Sequence, residues 1–218
     1  MQLSTVSVSE SVTEMVRQFI VDGALPDGQR INEVHLSREL GISRTPLREG
    51  LGQLVSDGIV TKAPRRGFFV TPMTLSEFQQ LYAIRPLLDP EALKLGGLPD
   101  QSCLDELDTL NRKLVATRKP STAIDLDDVW HMKLLEHCPN RVLVGLIQQL
   151  IVRTRRYEHA LFRETRNVWN ASNEHDQIVA ALRDKNLKSA CRVLRQNMQS
   201  GYAPIYEWLS ARTRQVDL

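Results

Sequence analysis

The chain is 218 residues long, 42% hydrophobic and 25% charged, with a net charge of only +2. That length accommodates two small domains, each able to hold a core. It contains no run of eighteen apolar residues and no charged-then-apolar N-terminal signal, which argues against a membrane span and for a cytoplasmic protein. Cys103, Cys138 and Cys191 are widely spaced and odd in number, so they read as buried thiols of a reducing compartment.

The first predicted element, Ser9 to Val21, carries Val12, Met15, Val16, Phe19 and Ile20 on one helical face and stops at Asp22-Gly23. A second helix is expected from about Glu33 to Leu40, with Val34, Leu36 and Leu40 turned inward. Gly41 then provides a steep turn. Ser43 is placed to cap a third helix starting near Arg44, and Pro46 sits in its first turn, where a missing donor is harmless. Leu47, Leu51, Leu54 and Val55 form the buried stripe of that helix. Ser43, Arg44, Thr45 and Arg48 gather on the outer side of its N-terminal end, the end that enters the major groove in a helix-turn-helix. Hydroxyls and backbone donors there can hold phosphates, and arginine forks can read guanine edges.

Ile59-Val60 and Phe68-Phe69-Val70 read as two short strands, with Lys62, Arg65, Arg66 and Gly67 in the turn between them. A cationic hairpin after such a helix is a wing that can place charge on the DNA backbone. From Leu36 to Val70 six Lys/Arg oppose three acids, a local net of +3 (6 − 3), so the small positive excess of the chain is concentrated here.

Thr71-Pro72-Met73-Thr74 marks a boundary, which divides the chain into residues 1–72 and 73–218. From Leu75 the pattern is helical nearly to the end, with breaks at Gly96 to Asp100, Lys119 to Ser121, Cys138 to Asn140 and Lys185 to Asn186, or about six helices. Pro86 and Pro90 predict a kink or break near Arg85 to Asp89. The expected fold class is therefore mainly α: an N-terminal winged helix-turn-helix followed by an all-α helical bundle.

Ionisable residues lie on the inner faces of that bundle. Asp127 and His131 are four apart and share a face with nearby Ile124, Leu134 and Leu135. His175 shares its side with Ile178, Val179 and Leu182, and Asn197 follows Ala190, Val193 and Leu194 at helical spacing. These four groups can converge on one divalent ion, with Zn, Ni, Mn or Fe suiting the donor set better than Ca or Mg. Spacing alone favours the plainer account, a salt-linked Asp127–His131 pair and a satisfied core His175. Arg85 stands in an apolar stripe with Leu81, Ile84 and Leu88 and needs an anion, either Asp89 or a bound effector. Arg153, beside Leu146, Leu150 and Tyr157, is a second effector candidate. The cluster Arg153, Arg155, Arg156, Arg163 and Arg166 reads most simply as a solvated helix surface.

The stretch Leu36 to Leu51 resembles the signature of the GntR family of bacterial transcription regulators, roughly Leu-Ser/Ala-x-x-Leu-Gly-Val-Ser-Arg-Thr-Pro-Val-Arg-Glu-Ala-Leu. Here Ile42, Leu47 and Gly50 stand for Val, Val and Ala. The resemblance implies DNA contacts at Ser43, Arg44, Thr45, Arg48 and Gly67. The second domain resembles the FCD domain of the FadR branch, whose pattern Asp-x-x-x-His, Glu-His and His supplies a divalent metal. Asp127, His131 and the pair Glu174-His175 match it, while Asn197 stands where a third histidine is expected. An amide oxygen is a weaker ligand than imidazole.

Together these features describe a metabolite-responsive regulator, read as a repressor. A homodimer would bind a palindromic double-stranded operator, and a small carboxylate effector would sit beside the metal. Two alternatives make different demands. A metal-dependent enzyme with a fused winged helix needs a general base, for which Glu136, His137 and His159 are the nearby candidates. A DNA-binding protein without an effector would fill its pocket with side chains.

Overall fold

The computed structural model describes residues 8–162 and 165–216. It divides into two compact units, Met1–Met73 and Thr74–Leu218.

In the first unit α1 (Val8–Val21), α2 (Glu33–Glu39) and α3 (Arg44–Ser56) precede an antiparallel pair, β1 (Val60–Ala63) and β2 (Gly67–Val70). Val12, Val16 and Ile20 of α1 pack with Leu47, Leu51 and Leu54 of α3 to make a closed core. Met15, expected on the inner face, is instead exposed. The approach of α1 to α3 explains the glycine at position 50: a β-carbon there would lie 3.1 Å from Val12 Cγ1 and 3.2 Å from the Thr13 backbone nitrogen. Gly41 turns the chain between α2 and α3 at φ 65°, a conformation that costs residues with a β-carbon about 1–2 kcal/mol.

Three local details differ from the sequence reading. Asn32 caps α2, its side-chain oxygen accepting from the Val34 and His35 amides. Ser43 has the extended backbone of a cap, yet its side chain makes no cap hydrogen bond, so the hydroxyl stays exposed at the tip of α3. The segment before α2 adds a third, short rung to the sheet. Arg30 bridges Phe69, the Ile31 amide donates to the Phe68 carbonyl at 2.8 Å, and the Val70 amide donates to the Gln29 carbonyl at 2.9 Å.

The second unit has seven helices among the described residues: α4 (Leu75–Gly96), α5 (Gln101–Ala116), α6 (Pro120–Leu134), α7 (Arg141–Leu161), α8 (Thr165–Arg183), α9 (Leu187–Ser200) and α10 (Tyr202–Val216). The additional helix comes from breaks after Leu161 and at Gly201 that periodicity does not reveal. The break expected near Arg85 to Asp89 is not present, because α4 runs continuously through Pro86 and Pro90. Both prolines are buried, and α4 packs along α7 and α9, so tertiary burial holds together a helix that proline alone would interrupt. The main core is built from Leu93, Leu107, Trp130, Ile147 and Ile178 with their neighbours. Among the described residues, no helix is long and apolar enough to cross a membrane.

Candidate nucleic-acid interface and candidate metal centre

Arg44 and Thr45 are exposed with Ser43 at the start of α3, and Arg48 lies one turn further on with a 60% exposed side chain. Arg48 is held in position. Its Nε lies 2.9 Å from Glu33 Oε2, an ion pair that anchors the side chain at this edge of the first unit, where its guanidinium can offer a fork to a guanine edge. In the wing, the Arg66 amide donates to the Ala63 carbonyl at 3.1 Å and closes a turn through Pro64 and Arg65. Arg65 adopts φ 61°, where a β-carbon is strained, and Gly67 adopts φ 95°, which favours glycine. Gly67 therefore serves the wing as a backbone position. Lys62 and Arg66 lie over the Phe68 and Phe69 rings at 5.7 Å and 5.6 Å, which directs their stems along the hairpin while the charges stay in water. Arg30, also exposed, lies beside Gly67 and is a cation of this edge that the sequence reading missed.

In the second unit α6 carries Asp127 and His131, α8 carries His175, and α9 carries Asn197, all four buried. Asp127, His131 and His175 each offer a ligand atom within 4.8 Å of the others. Asp127 Oδ1 is 3.5 Å from His175 Nε2, and Asp127 Oδ2 is 3.7 Å from His131 Nε2. Asp127 Oδ1, His131 Nδ1, His175 Nε2 and Asn197 Oδ1 are buried atoms without a hydrogen-bond partner. Unsatisfied polar atoms on four buried residues, three of which offer ligand atoms within 4.8 Å of one another, are costly for a purely structural core and suit a bound cation.

Neighbouring groups orient these ligands. His175 Nδ1 lies 3.1 Å from Asn111 Oδ1, and Asn111 Nδ2 donates to Asp176 Oδ1 at 2.7 Å and to the Ser172 carbonyl at 3.0 Å. With its amide nitrogen committed, Asn111 presents an oxygen that fixes the proton of His175 on Nδ1 and leaves the Nε2 lone pair free. Asn197 Nδ2 donates to Glu174 Oε2 at 2.8 Å, and its Oδ1 is left without a partner. The indole of Trp130 stacks on His175 at 3.6 Å and meets His131 edge-on. Burial pushes the Asp127 carboxyl up to about 8, helped by Glu158, and pushes His175 down to about 3. His131 is also held well below its ordinary value, first by burial and then by His175 and Arg85. Without an ion the site therefore prefers neutral groups.

A cavity with about 50 Å³ of free space adjoins this cluster, lined by Tyr82, Arg85, Asp127, His131, Thr154, Glu158 and Asn197 among others. His175 lies behind that wall. Arg85 is buried and pairs with Asp89 at 2.9 Å and Glu158 at 3.5 Å. Burial works against its charge, but the two carboxylates outweigh that and bind its proton more tightly. Arg153 does not reach the cavity; it pairs with Glu77 at 2.6 Å, and Tyr157 donates to the same carboxylate at 2.8 Å. The arginine cluster of α7 is not a simple solvated face: Arg156 is buried and Arg155 pairs with Asp125 and Asp128, while Arg163 lies outside the described residues. Glu136, His137 and His159 are not among the groups lining the cavity.

A helix-turn-helix with a cationic wing, joined to a helical domain with a buried Asp/His cluster, fits a DNA-binding transcription regulator. The family of bacterial regulatory proteins named GntR matches residues 8–70, and the FCD domain matches residues 80–200. The chain thus belongs to the GntR family and carries an FCD domain.

It is 27% identical over 216 residues to the regulator McbR of Escherichia coli K12, covering 94% of this chain and 96% of that one. The solved structure of E. coli McbR/YncC superposes with a TM-score of 0.79 at 26% identity, covering 94% of this chain and 99% of the other. The Nta operon transcriptional regulator of Aminobacter aminovorans is 25% identical over 195 residues, 87% of this chain and 90% of that protein. YdhC of Bacillus subtilis, an HTH-type transcriptional regulator, is 30% identical over 142 residues, 62% of each chain. The protein is a DNA-binding transcription regulator of the GntR/FCD type, and the domains and relatives it matches are regulators rather than enzymes.

Proposed function

We propose that this regulator is a metabolite-responsive repressor that binds a palindromic operator as a cytoplasmic homodimer and senses a small carboxylate beside a divalent ion. The observation that carries the sensing part is the set of four buried, unpartnered ligand atoms on Asp127, His131, His175 and Asn197. Their donor set fits Zn, Ni, Mn or Fe. When bound, the ion supplies positive charge and open coordination positions for an anionic ligand.

The rest of the chemistry belongs to the chain. Arg85 contributes one positive charge to the cavity wall, but Asp89 and Glu158 take it up. Asp127 adds a further acid. An anionic effector therefore has no free cation to bind among these groups, and its affinity depends on the ion. The small free volume limits the effector to a few non-hydrogen atoms unless the wall opens, since ligand pockets commonly reach about 300–1,000 Å³. Opening that wall on α4, α7 and α9 is how ligand occupancy would shift the population of dimer geometries that match an operator.

On the DNA, Arg44 and Arg48 read bases, Ser43 and Thr45 hold phosphates, and Arg65 and Arg66 of the wing add backbone contacts around Gly67. Selection of duplexes from a random pool by the full chain tests this part. The expected winner is a two-fold symmetric site bound by two chains. Enrichment of a single asymmetric half-site, bound by one chain, would contradict the proposal.

Two substitutions probe the ligand cluster. Asn197→His restores imidazole to the fourth position and is expected to tighten metal binding in a competition titration against a chelator; unchanged affinity would remove Asn197 from the ligand set. Asn111→Ala frees the His175 tautomer and should weaken metal binding by about 10–100-fold, the usual cost of an outer partner. An unaltered titration would contradict the orienting role of Asn111.

A further inference from the structure

A second ligand cluster lies apart from the one described above. Cys103 is in the first turn of α5, whose cap Asp100 accepts the Cys103 amide at 2.8 Å. Glu136 and His137 are in the tight turn that follows α6. That turn is fixed by the Glu136 amide donating to the Lys133 carbonyl and the Cys138 amide donating to the Leu135 carbonyl. It also packs against the end of α4, where a β-carbon on Gly96 would come within 3.2 Å of His137 C and Cys138 N. Two rigid elements thus bring a sulfur, a carboxylate and an imidazole within 4.8 Å of one another.

We propose that Cys103, Glu136 and His137 form a second divalent-metal site on the helical domain, selective for a thiolate-binding ion such as Zn²⁺. The donor set supports that class of ion: sulfur and imidazole favour zinc over the oxygen-seeking Mg²⁺ and Ca²⁺, and three protein ligands leave one position for water. The site opens to solvent on its Glu136 and His137 side, whose side chains are 37% and 43% exposed, while Cys103 is buried against the core and lines a cavity of about 350 Å³ that also reaches Lys133.

Lys133 is not an obstacle. Its ammonium is 2.9 Å from Glu136 and 2.8 Å from Glu106, so it keeps a carboxylate partner when Glu136 turns to an ion. On binding, the Cys103 S–H bond breaks, the proton passes to buffer, and the sulfur lone pair forms the bond to the metal. Thiolate and carboxylate then cancel the charge of the ion. This site is independent of the inner cluster, which contains no sulfur, so either can fail without the other.

The test uses the reduced, full-length chain titrated with Co²⁺, whose thiolate complexes show a near-ultraviolet charge-transfer band. The expected result is a band that appears in the native chain, saturates at one equivalent in His175→Ala, where the inner cluster no longer competes for the ion, and disappears in Cys103→Ser. Removal of the partly exposed imidazole in His137→Ala, which leaves the core intact, should weaken the cobalt affinity by about 100-fold, at or above what loss of an outer partner costs. Absence of the band in the native chain, or a band unchanged in Cys103→Ser or His137→Ala, would overturn the site.

Discussion

His131→Ala and His175→Ala are each expected to abolish stoichiometric binding at the inner cluster while the winged helix stays folded. Each substitution removes one of three ligand atoms that lie within 4.8 Å of one another, and each residue comes from a different helix, α6 or α8. Loss of an outer partner alone costs about 10–100-fold in affinity, so loss of a direct imidazole ligand should cost on the order of 1,000-fold. Thermal unfolding gives a second readout. In a Cys103→Ser background, where the inner cluster is the site read, an ion at 100 times its Kd stabilises the chain by about 2.7 kcal/mol, and that increment should vanish when either histidine is also replaced. Metal-dependent stabilisation that survives in Cys103→Ser/His175→Ala would mean that the ion binds elsewhere.

Arg44→Ala and Arg48→Ala should each weaken specific DNA binding by about 1–3 kcal/mol and relax sequence preference at the position each reads. The wing should behave differently. Arg65→Ala and Arg66→Ala remove phosphate contacts, so they should weaken all duplexes alike and lower the salt slope by about one each. The Glu33–Arg48 contact adds a discriminating variant: Glu33→Gln keeps the size of the partner but loses the charge that holds Arg48 Nε, and should cost part of the specificity that Arg48→Ala removes. Operator affinity unchanged in both Arg44→Ala and Arg48→Ala would displace the recognition edge from the start of α3.

The winged helix was legible in the sequence because its signals are local. Gly41 and Gly67 are required by positive φ, the leucines of α3 repeat at helical spacing, and the wing cations follow one another in the chain. The short rung at Gln29 to Ile31 was not legible, since a bridge of this length has no period of its own. In the helical domain the positions of Asp127, His131, His175 and Asn197 on apolar faces are enough to predict that all four are buried. Asn111 could have been named the same way, because it interrupts the buried series Leu104, Leu107, Leu114 on α5.

Arg85 illustrates a different limit. Its place in an apolar stripe signalled the need for an anion, but the choice between Asp89, four residues on, and a bound ligand depends on Glu158, which arrives from α7. Arg153 was misplaced as an effector candidate for the same reason, since its partner Glu77 lies far away in the sequence. The continuity of α4 through two prolines follows from its burial against α7 and α9, which no single segment encodes.

The proposed sensing depends on an ion in the buried cluster of the helical domain. Elemental analysis combined with native mass spectrometry, on Cys103→Ser protein purified without chelators or a histidine tag, leaves the inner cluster as the site counted. The expected result is one divalent ion per chain in a dimer, with any bound small acid lost when the ion is chelated. A dimer that stays metal-free after incubation with excess Zn²⁺, Ni²⁺, Mn²⁺ and Fe²⁺ in turn, or one that keeps its acid after chelation, would contradict it.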